Sequence, residues 1–373
     1  MSHASQTSRG TGTAALTSDD VALLQAMADD GFEQVVHCFD RATGLRAIIA
    51  IHSTQLGPAL GGTRFLAYPD ERAALADVSR LAKAMTYKAA VAGLPLGGGK
   101  AVIIGDPTTM KTDELLLAYG RFVETLSGRY LTAEDVGTTQ ADMDTIRRVT
   151  TSVTGTDPAR GGSGDPSEAT AEGVCWAMRA VVGHDLADLE VVVSGVGKVG
   201  SGLTRRLVAA GARVTVADTD ASRTSMLQNE LGVRVVAPAV AHRTACDVFS
   251  PCALGGVLNA SSIAELACRA VVGAANNQLA EPAAAGALQD RTIVYAPDFV
   301  VNAGGIINIS QELEPGGYHA GRAMERVKVI ATTVRRVLER AASSGTTPAA
   351  AAEALARERL ADEGDAVVRT FRP

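Results

Sequence analysis

Clusters of Lys and Arg interleaved with aromatics are missing from this 373-residue sequence, and its formal net charge is −6. That excludes the electrostatic footprint of a nucleic-acid binder. Cysteine is sparse: Cys38, Cys175, Cys246, Cys252 and Cys268 are the only five, and no two have CxxC spacing. An odd set without such pairs argues against a disulfide framework or a zinc ribbon, and a reducing, cytoplasmic setting is expected. No HExxH occurs, and the six histidines, including His37 and His52, show no ligand spacing, so no metal site is expected. No run of about 18 unbroken apolar residues is available to cross a membrane. The opening MSHASQTSRGTGTAALTS also lacks the apolar core of a signal peptide, and residues 1–17 are expected to form a disordered tail. What is present is 46% hydrophobic and 20% charged, a composition and length that suit two or three buried cores and small-molecule chemistry.

The first half mixes strand and helix signals. LRAIIAIHS (45–53) reads as a buried strand, DERAALADVSRLAKAMTYKAAVAG (70–93) has apolar residues at helical spacing with Gly93 as a stop, and KAVIIGDP (100–107) reads as another strand. TDPARGGSGDPS (156–167) has the composition of a hinge or linker. Beyond it, short apolar strands in LEVVVSGVG, RVTVAD, CDVFSPC, RAVVGAANN and TIVYAPD alternate with helical stretches, which argues for a parallel, doubly wound sheet. Residues 320–362 are helical in pattern, with a helix expected to start at Pro348. The expected fold is α/β: a substrate, catalytic and oligomerisation domain over 18–155, a Rossmann-type dinucleotide-binding domain over 156–325, a cleft between them, and a helical segment over 326–373 folding back.

VVVSGVGKVGSGLTRRLVAAGARVTVAD has the context a dinucleotide fingerprint requires. A strand runs into Gly195, Gly197 and Gly200, a helix follows, Gly211 ends it, and a second strand finishes at Asp218. The first glycine permits the tight turn, the second lets the pyrophosphate approach the backbone, and the third lets the helix pack closely. Lys198 and Val199, within the turn, join the cofactor-binding set. Asp218 stands where a carboxylate accepts from the adenosine ribose hydroxyls and repels a 2′-phosphate, which favours NAD, while Arg223 nearby keeps NADP open.

GLPLGGGKAV (93–102) imitates a phosphate loop, but Leu94 and Ala101 stand where that pattern needs Gly and Ser or Thr. Lys100 therefore needs another task. Lys88, in AMTYKAAVAG, lies among apolar residues, and the glycines beside Lys100 are expected to let a ligand approach the backbone. Each lysine has a plain alternative as a solvated surface residue. Asp135 in AEDVGTTQADMD has one as a helix-start residue, and Asp142 and Asp144 are read as first-turn acids.

GPALGGTRF, MTYKAAVAGLPLGGGKAV, AEDVGTTQADMD, GDPSEATAEGV, SGVGKVG, CALGG, GAANNQLA and YAPDFVVNAGGIIN, in this order between about His52 and Glu314, resemble the Glu/Leu/Phe/Val amino acid dehydrogenase family, especially its branched-chain valine and leucine members. The resemblance implies NAD-dependent oxidative deamination. Lys88 would bind the substrate α-carboxylate, Lys100 would be the catalytic base and Asp135 would move protons. A lysine brought toward neutrality by burial and a neighbouring cation suits such chemistry, and Lys88 would be that cation. Ser167 and Thr170 would lie near the nicotinamide amide, Ala253 on the adenine side, Asn276 at the nicotinamide ribose and Asn302 on the substrate. As loop asparagines, Asn276 and Asn302 could instead simply satisfy turns.

Gly61 joins the substrate-binding set, and the implied side-chain pocket is Leu60, Ala133, Ile306 and Ile309. It offers no cation for a glutamate side chain, and Ile306 fills space that a phenyl ring needs. Valine, with leucine and isoleucine, is thus the expected substrate, converted reversibly to the 2-oxo acid and ammonia by a homo-oligomer of two to eight chains. Departures from the family pattern at Ala169 and Glu172 fall in the cofactor segment and question its packing. Alternatives are a phenylalanine dehydrogenase, a nicotinamide-binding regulator without turnover, or an enzyme using Cys252 as nucleophile. The last is weaker, since Cys252 reads better as a small residue lining the cofactor cleft.

Overall fold

The computed structural model describes residues 24, 25 and 27–367, with side chains to residue 362. The expected tail over 1–17 lies outside the described residues. A five-stranded sheet, ordered β1-β2-β4-β3-β5, is built from β1 (Gln34–Asp40), β2 (Leu45–Ser53), β3 (Ala59–Leu66), β4 (Gly97–Ile104) and β5 (Tyr130–Glu134). β2 runs antiparallel to β1 and β4, while β3 runs parallel to β4 and β5.

Side chains alternate across this sheet as a pleated strand requires. Ile48, Ala50 and Val102 meet Ala74, Val78 and Ala82 of helix α1 (Glu71–Val91) on one face. Ala47, Ile49, Ile51, Ala101 and Ile103 meet Leu115, Leu116, Tyr119 and Val123 of α2 (Asp113–Glu124) on the other. β2 is buried on both faces, which is why its sequence shows an unbroken apolar run rather than alternation. Each such Ile or Leu contributes about 1.5–3 kcal/mol by burial.

β4 begins three residues before the strand read from the sequence, because Gly97, Gly98 and Gly99 belong to it. The expectation that these glycines clear room for a ligand is corrected. A Cβ on Gly97 would stand 1.9 Å from Ser53 O, on Gly98 2.0 Å from Thr86 N of α1, and on Gly99 2.8 Å from the Tyr130 ring. The space they free is filled by protein.

The second sheet is parallel throughout, ordered β11-β10-β9-β6-β7-β8, from β6 (Glu190–Ser194), β7 (Arg213–Ala217), β8 (Arg234–Val235), β9 (Val248–Pro251), β10 (Ala270–Val271) and β11 (Val294–Tyr295). Read from β8, this is the 3-2-1-4-5-6 order of a doubly wound dinucleotide fold. The chain reverses direction across the sheet between β6 and β9, and that switch point is where such folds place ligands.

Helix α3 (Gln140–Ile146) opens with a Thr139–Asp142 capping box, so Asp142 is the first-turn acid expected. Asp144 lies beyond the first turn and accepts instead from Asp157 N at 3.1 Å. Further on come α4 (Ser167–Val182), α5 (Lys198–Ala209), α6 (Asp298–Val301), α7 (Gly304–Ser310), α8 (Val329–Ser344) and α9 (Pro348–Val367). Pro348 opens α9, since its missing N–H costs nothing at a first helical position. α8 packs on α4, and α9 packs on α1 and α8, where Arg359 Nη1 donates to Ala90 O at 2.8 Å near the end of α1. Among the described residues no helix is long and apolar enough to cross a membrane.

Candidate active site

The strand pleat decides which residues of the first sheet can meet. Phe65 and Ala101 face α2, so Leu60, Gly62 and Arg64 on β3 and Lys100 on β4 face the α1 side. On β5, Ala133 shares that side with Asp135, one step past the strand end, while Thr132 turns the other way to meet Thr63 at 2.6 Å. Lys88, in the last turn of α1, completes the group from above.

Lys100 is 7% exposed, and its Nζ stands 2.5 Å from Asp135 Oδ2. Burial alone would push the Asp135 carboxyl up, but Lys100 and then Arg64 hold it below the usual carboxylate range. Lys88 Nζ donates to Asn276 Oδ1 at 3.4 Å, across 188 positions of sequence. Burial, helped by the nearby Lys100, lowers the Lys88 ammonium to about 8, against the pull of Asp298 and Asp135. Lys88 is thus a lysine brought toward neutrality by its surroundings.

Asn302 Nδ2 donates to Ala274 O at 3.1 Å and to Asn276 Oδ1 at 2.8 Å. Its own Oδ1 is buried without a hydrogen-bond partner among the described residues, a cost normally met by a ligand or water. Leu60, Ala133, Ile306 and Ile309 all belong to one buried apolar cluster. Gly61 serves the fold as well: a Cβ there would stand 1.8 Å from Gly99 O, and its carbonyl accepts from Tyr130 Oη at 2.6 Å.

The glycine turn lies at the switch point of the parallel sheet. Gly195 has φ +97°, and a Cβ on it would stand 2.5 Å from Ala253 Cβ, past the end of β9. A Cβ on Gly200 would stand 2.0 Å from Gly195 O. Gly197 is different, since only Arg223 Nη1, at 3.7 Å, comes near. Gly197 is also the N-cap of α5, with no side chain capping the first N–H groups. An open backbone at an uncapped helix start fits a dinucleotide pyrophosphate. Asp218 borders the turn, its Oδ2 accepting from Val196 N at 2.7 Å and its Oδ1 from Asp220 N at 2.8 Å. Lys198 pairs with Asp165 at 2.6 Å, and Val199 packs against the main apolar cluster.

Ser167 N donates to Asp165 Oδ1 at 2.9 Å, and Thr170 Oγ1 donates to Pro166 O at 2.9 Å. A Cβ on Gly305 of α7 would stand 3.0 Å from that Thr170 hydroxyl. Glu172 points away from the turn: it accepts from Trp176 Nε1 at 2.8 Å and Arg206 Nε at 2.9 Å, fastening α4 to α5. Ala169 lies where Gly304 approaches its carbonyl, so its small size goes with close packing of α4 and α7. Cys252 packs beneath Gly200, and burial pushes its thiol up, which disfavours a thiolate nucleophile.

With this geometry in place, residues 33–152 match the Glu/Leu/Phe/Val dehydrogenase dimerisation domain, and residues 215–366 match the Glutamate/Leucine/Phenylalanine/Valine dehydrogenase model. A valine dehydrogenase of Streptomyces albus is 50% identical over 341 residues, covering 89% of this chain and 93% of that protein. The chain belongs to this family. Other similar proteins are a leucine dehydrogenase of Bacillus subtilis, 47% identical over 343 residues and covering 91% of this chain and 94% of that one, and the solved L-tryptophan dehydrogenase from Nostoc punctiforme. The latter superposes with a TM-score of 0.79 at 39% identity, covering 91% of this chain and 99% of that chain. This Glu/Leu/Phe/Val dehydrogenase is an oxidoreductase acting on CH–NH2 groups.

Sequence reasoning missed three charged groups of the site. Arg64 Nε lies 3.5 Å from Asp135 Oδ2, and the lone cation in the apolar strand ALGGTRFL was a usable signal. Asp298 is half-buried near Lys88, and desolvation raises its carboxyl although Gln278 N donates to its Oδ2 at 2.8 Å. Asp165 meets Lys198, 33 positions away, only through the fold.

Proposed function

We propose that this enzyme catalyses the reversible, NAD-dependent oxidative deamination of a branched-chain L-amino acid, valine together with leucine and isoleucine, to the 2-oxo acid and ammonia. The observation that carries the reading is the buried Lys100–Asp135 pair at 2.5 Å, with Lys88, Asn276 and Asn302 beside it. In this reading residues 18–155 form the substrate and oligomerisation domain, residues 156–325 the cofactor domain, and residues 326–373 the helical return. The enzyme works as a homo-oligomer in the cytoplasm.

Lys88 holds the α-carboxylate as an ammonium, and Asn302 offers its unpaired Oδ1 to the substrate amine. Gly195, Gly197, Lys198, Val199 and Gly200 would hold the dinucleotide, with Asp218 taking the adenosine ribose, Ala253 serving the adenine side, and Ser167, Thr170 and Asn276 serving the nicotinamide end. When bound there, the nicotinamide supplies the hydride acceptor for Cα. The chain's own residues do the remaining work. Asp135, a carboxylate at the outset, takes the proton the substrate ammonium must lose before the hydride leaves. Neutral Lys100 takes a proton from the water that adds to the imine, and Asp135 returns its proton to the departing nitrogen. As the carbonyl forms, the nitrogen leaves with the hydroxyl proton as ammonium. Burial keeps competing water from the pair.

Leu60, Ala133, Ile306 and Ile309 present only apolar surface, so a second carboxylate would be buried without a partner. One methylene is worth about 1–3 kcal/mol in such a pocket, so valine, leucine and isoleucine overlap. The test is NADH oxidation in ammonia with 3-methyl-2-oxobutanoate, 4-methyl-2-oxopentanoate, phenylpyruvate and 2-oxoglutarate, each with an ammonia-free control. Ammonia-dependent turnover is expected to rank the branched oxo acids first. Phenylpyruvate in the lead would overturn the pocket assignment, and NADH binding without turnover on any oxo acid would leave a nicotinamide-binding regulator.

A further inference from the structure

We propose that Arg64 is a positioning residue that keeps Asp135 a carboxylate, free to accept the proton of the substrate ammonium, when Lys100 is neutral. The inference rests on the reading of Lys100 and Asp135 as the proton carriers. Arg64 reaches the site face of β3, and Asp135 follows Glu134, which pairs in register with Thr63, so the pleat sets the two side chains side by side. Arg64 Nε stands 3.5 Å from Asp135 Oδ2, the same oxygen that Lys100 meets at 2.5 Å, and Nε is buried without a hydrogen-bond partner among the described residues. The other end of the guanidinium is anchored: Nη1 donates to Asp77 Oδ2 at 2.8 Å. Asp77 in turn accepts from Tyr68 Oη at 2.7 Å and from Arg80 Nη2 at 2.7 Å. One guanidinium thus spans two carboxylates, with its side chain only 19% exposed.

Charge bookkeeping gives this arrangement its purpose. Lys100 must be neutral at the moment it accepts a proton. It then no longer offsets the Asp135 charge, and burial would draw the proton onto Asp135 instead. The other titratable groups acting on Asp135, or acted on by it, are Lys88 from α1, Tyr130 on β5 and the adjacent Glu134. Tyr130 and Glu134 bring no positive charge, and Lys88 is committed to the substrate carboxylate. A guanidinium stays charged at every working pH, so Arg64 is the constant cation beside Asp135.

The experiment is the pH profile of kcat/KM for wild type, Arg64→Gln, Arg64→Lys and Asp77→Asn, together with infrared titration of the protonated-carboxyl band assigned by its loss in Asp135→Asn. In Arg64→Gln the acid limb and the Asp135 titration are expected to move up by roughly one pH unit or more, with kcat falling about tenfold. Arg64→Lys is expected to restore most of the limb, because it keeps the charge. Asp77→Asn releases the guanidinium toward Asp135 and is expected to move the limb to lower pH. It also serves as the deciding variant if Arg64→Gln does not fold. An unmoved limb and unmoved carboxyl titration in Arg64→Gln overturns the proposal, as does an unmoved or raised limb in Asp77→Asn. If wild type lacks ammonia-dependent turnover while the infrared titration still shifts, the proton-carrier reading fails and the hold of Arg64 on Asp135 stands.

Discussion

Two glycine-rich stretches of this protein use the same residue for opposite ends. In the six-stranded sheet, Gly197 stands open at the uncapped start of α5, while Gly195 and Gly200 close the turn around it. In the five-stranded sheet, Gly97, Gly98 and Gly99 are pressed against Ser53, Thr86 and Tyr130, and the charged groups gathered beside them are the side chains of Lys100, Asp135 and Arg64. A glycine can make room for a ligand or for the protein itself, and only its neighbours distinguish the two. Gly98 lets α1 come close at Thr86, two residues before Lys88.

The comparison breaks most sharply at Lys100. Lys100→Ala is expected to lower kcat by about 10²–10⁴-fold while NADH binding changes little, because the cofactor turn is built separately. Single-turnover kinetics beside NADH fluorescence titration checks this; comparable losses in both would show that the two regions are not independent.

Next in size is a matched pair of glycine substitutions. Gly98→Ala sets a methyl group 2.0 Å from the α1 backbone and is expected to cost about 1–3 kcal/mol, seen as a lower unfolding midpoint. Gly197→Ala meets nothing closer than 3.7 Å, so its midpoint is expected to hold while the NADH dissociation constant rises about tenfold. Calorimetry and titration on both variants would expose any reversal.

The smallest effect concerns Lys88, whose ammonium titrates at about 8. It is protonated below that pH, so substrate capture is expected to be full near pH 7 and to fade above 8, with KM rising roughly tenfold per pH unit. In Lys88→Met, KM is expected to be high throughout and this alkaline rise to disappear. A wild-type KM that stays flat to pH 9.5 contradicts the role given to Lys88.

The glycine turn was legible because it is local: Glu190 to Asp218 is one strand, turn, helix and strand, and Gly200 closes on Gly195 within it. Ala253 is the exception, and only the family resemblance pointed to it, since β9 meets β6 through the sheet order. The first-half site was legible as a set of residues but not as an arrangement. Nothing in their spacing puts Lys88 beside Asn276 or aims Arg64 at Asp135. Those encounters depend on strand parity and on the β2-β4-β3-β5 order, which mixes parallel and antiparallel neighbours. β8, β10 and β11 span two residues each, too few to show a period of their own.

Trp176 is the chain's single tryptophan, with the Arg179 guanidinium 4.8 Å and the Lys328 ammonium 5.7 Å from its ring centre. Through Glu172 and Arg206 its indole is tied to α5. Tryptophan emission from this protein therefore comes from one address, between α4, α5 and Lys328, and a change in its colour or intensity reports how these parts sit against each other.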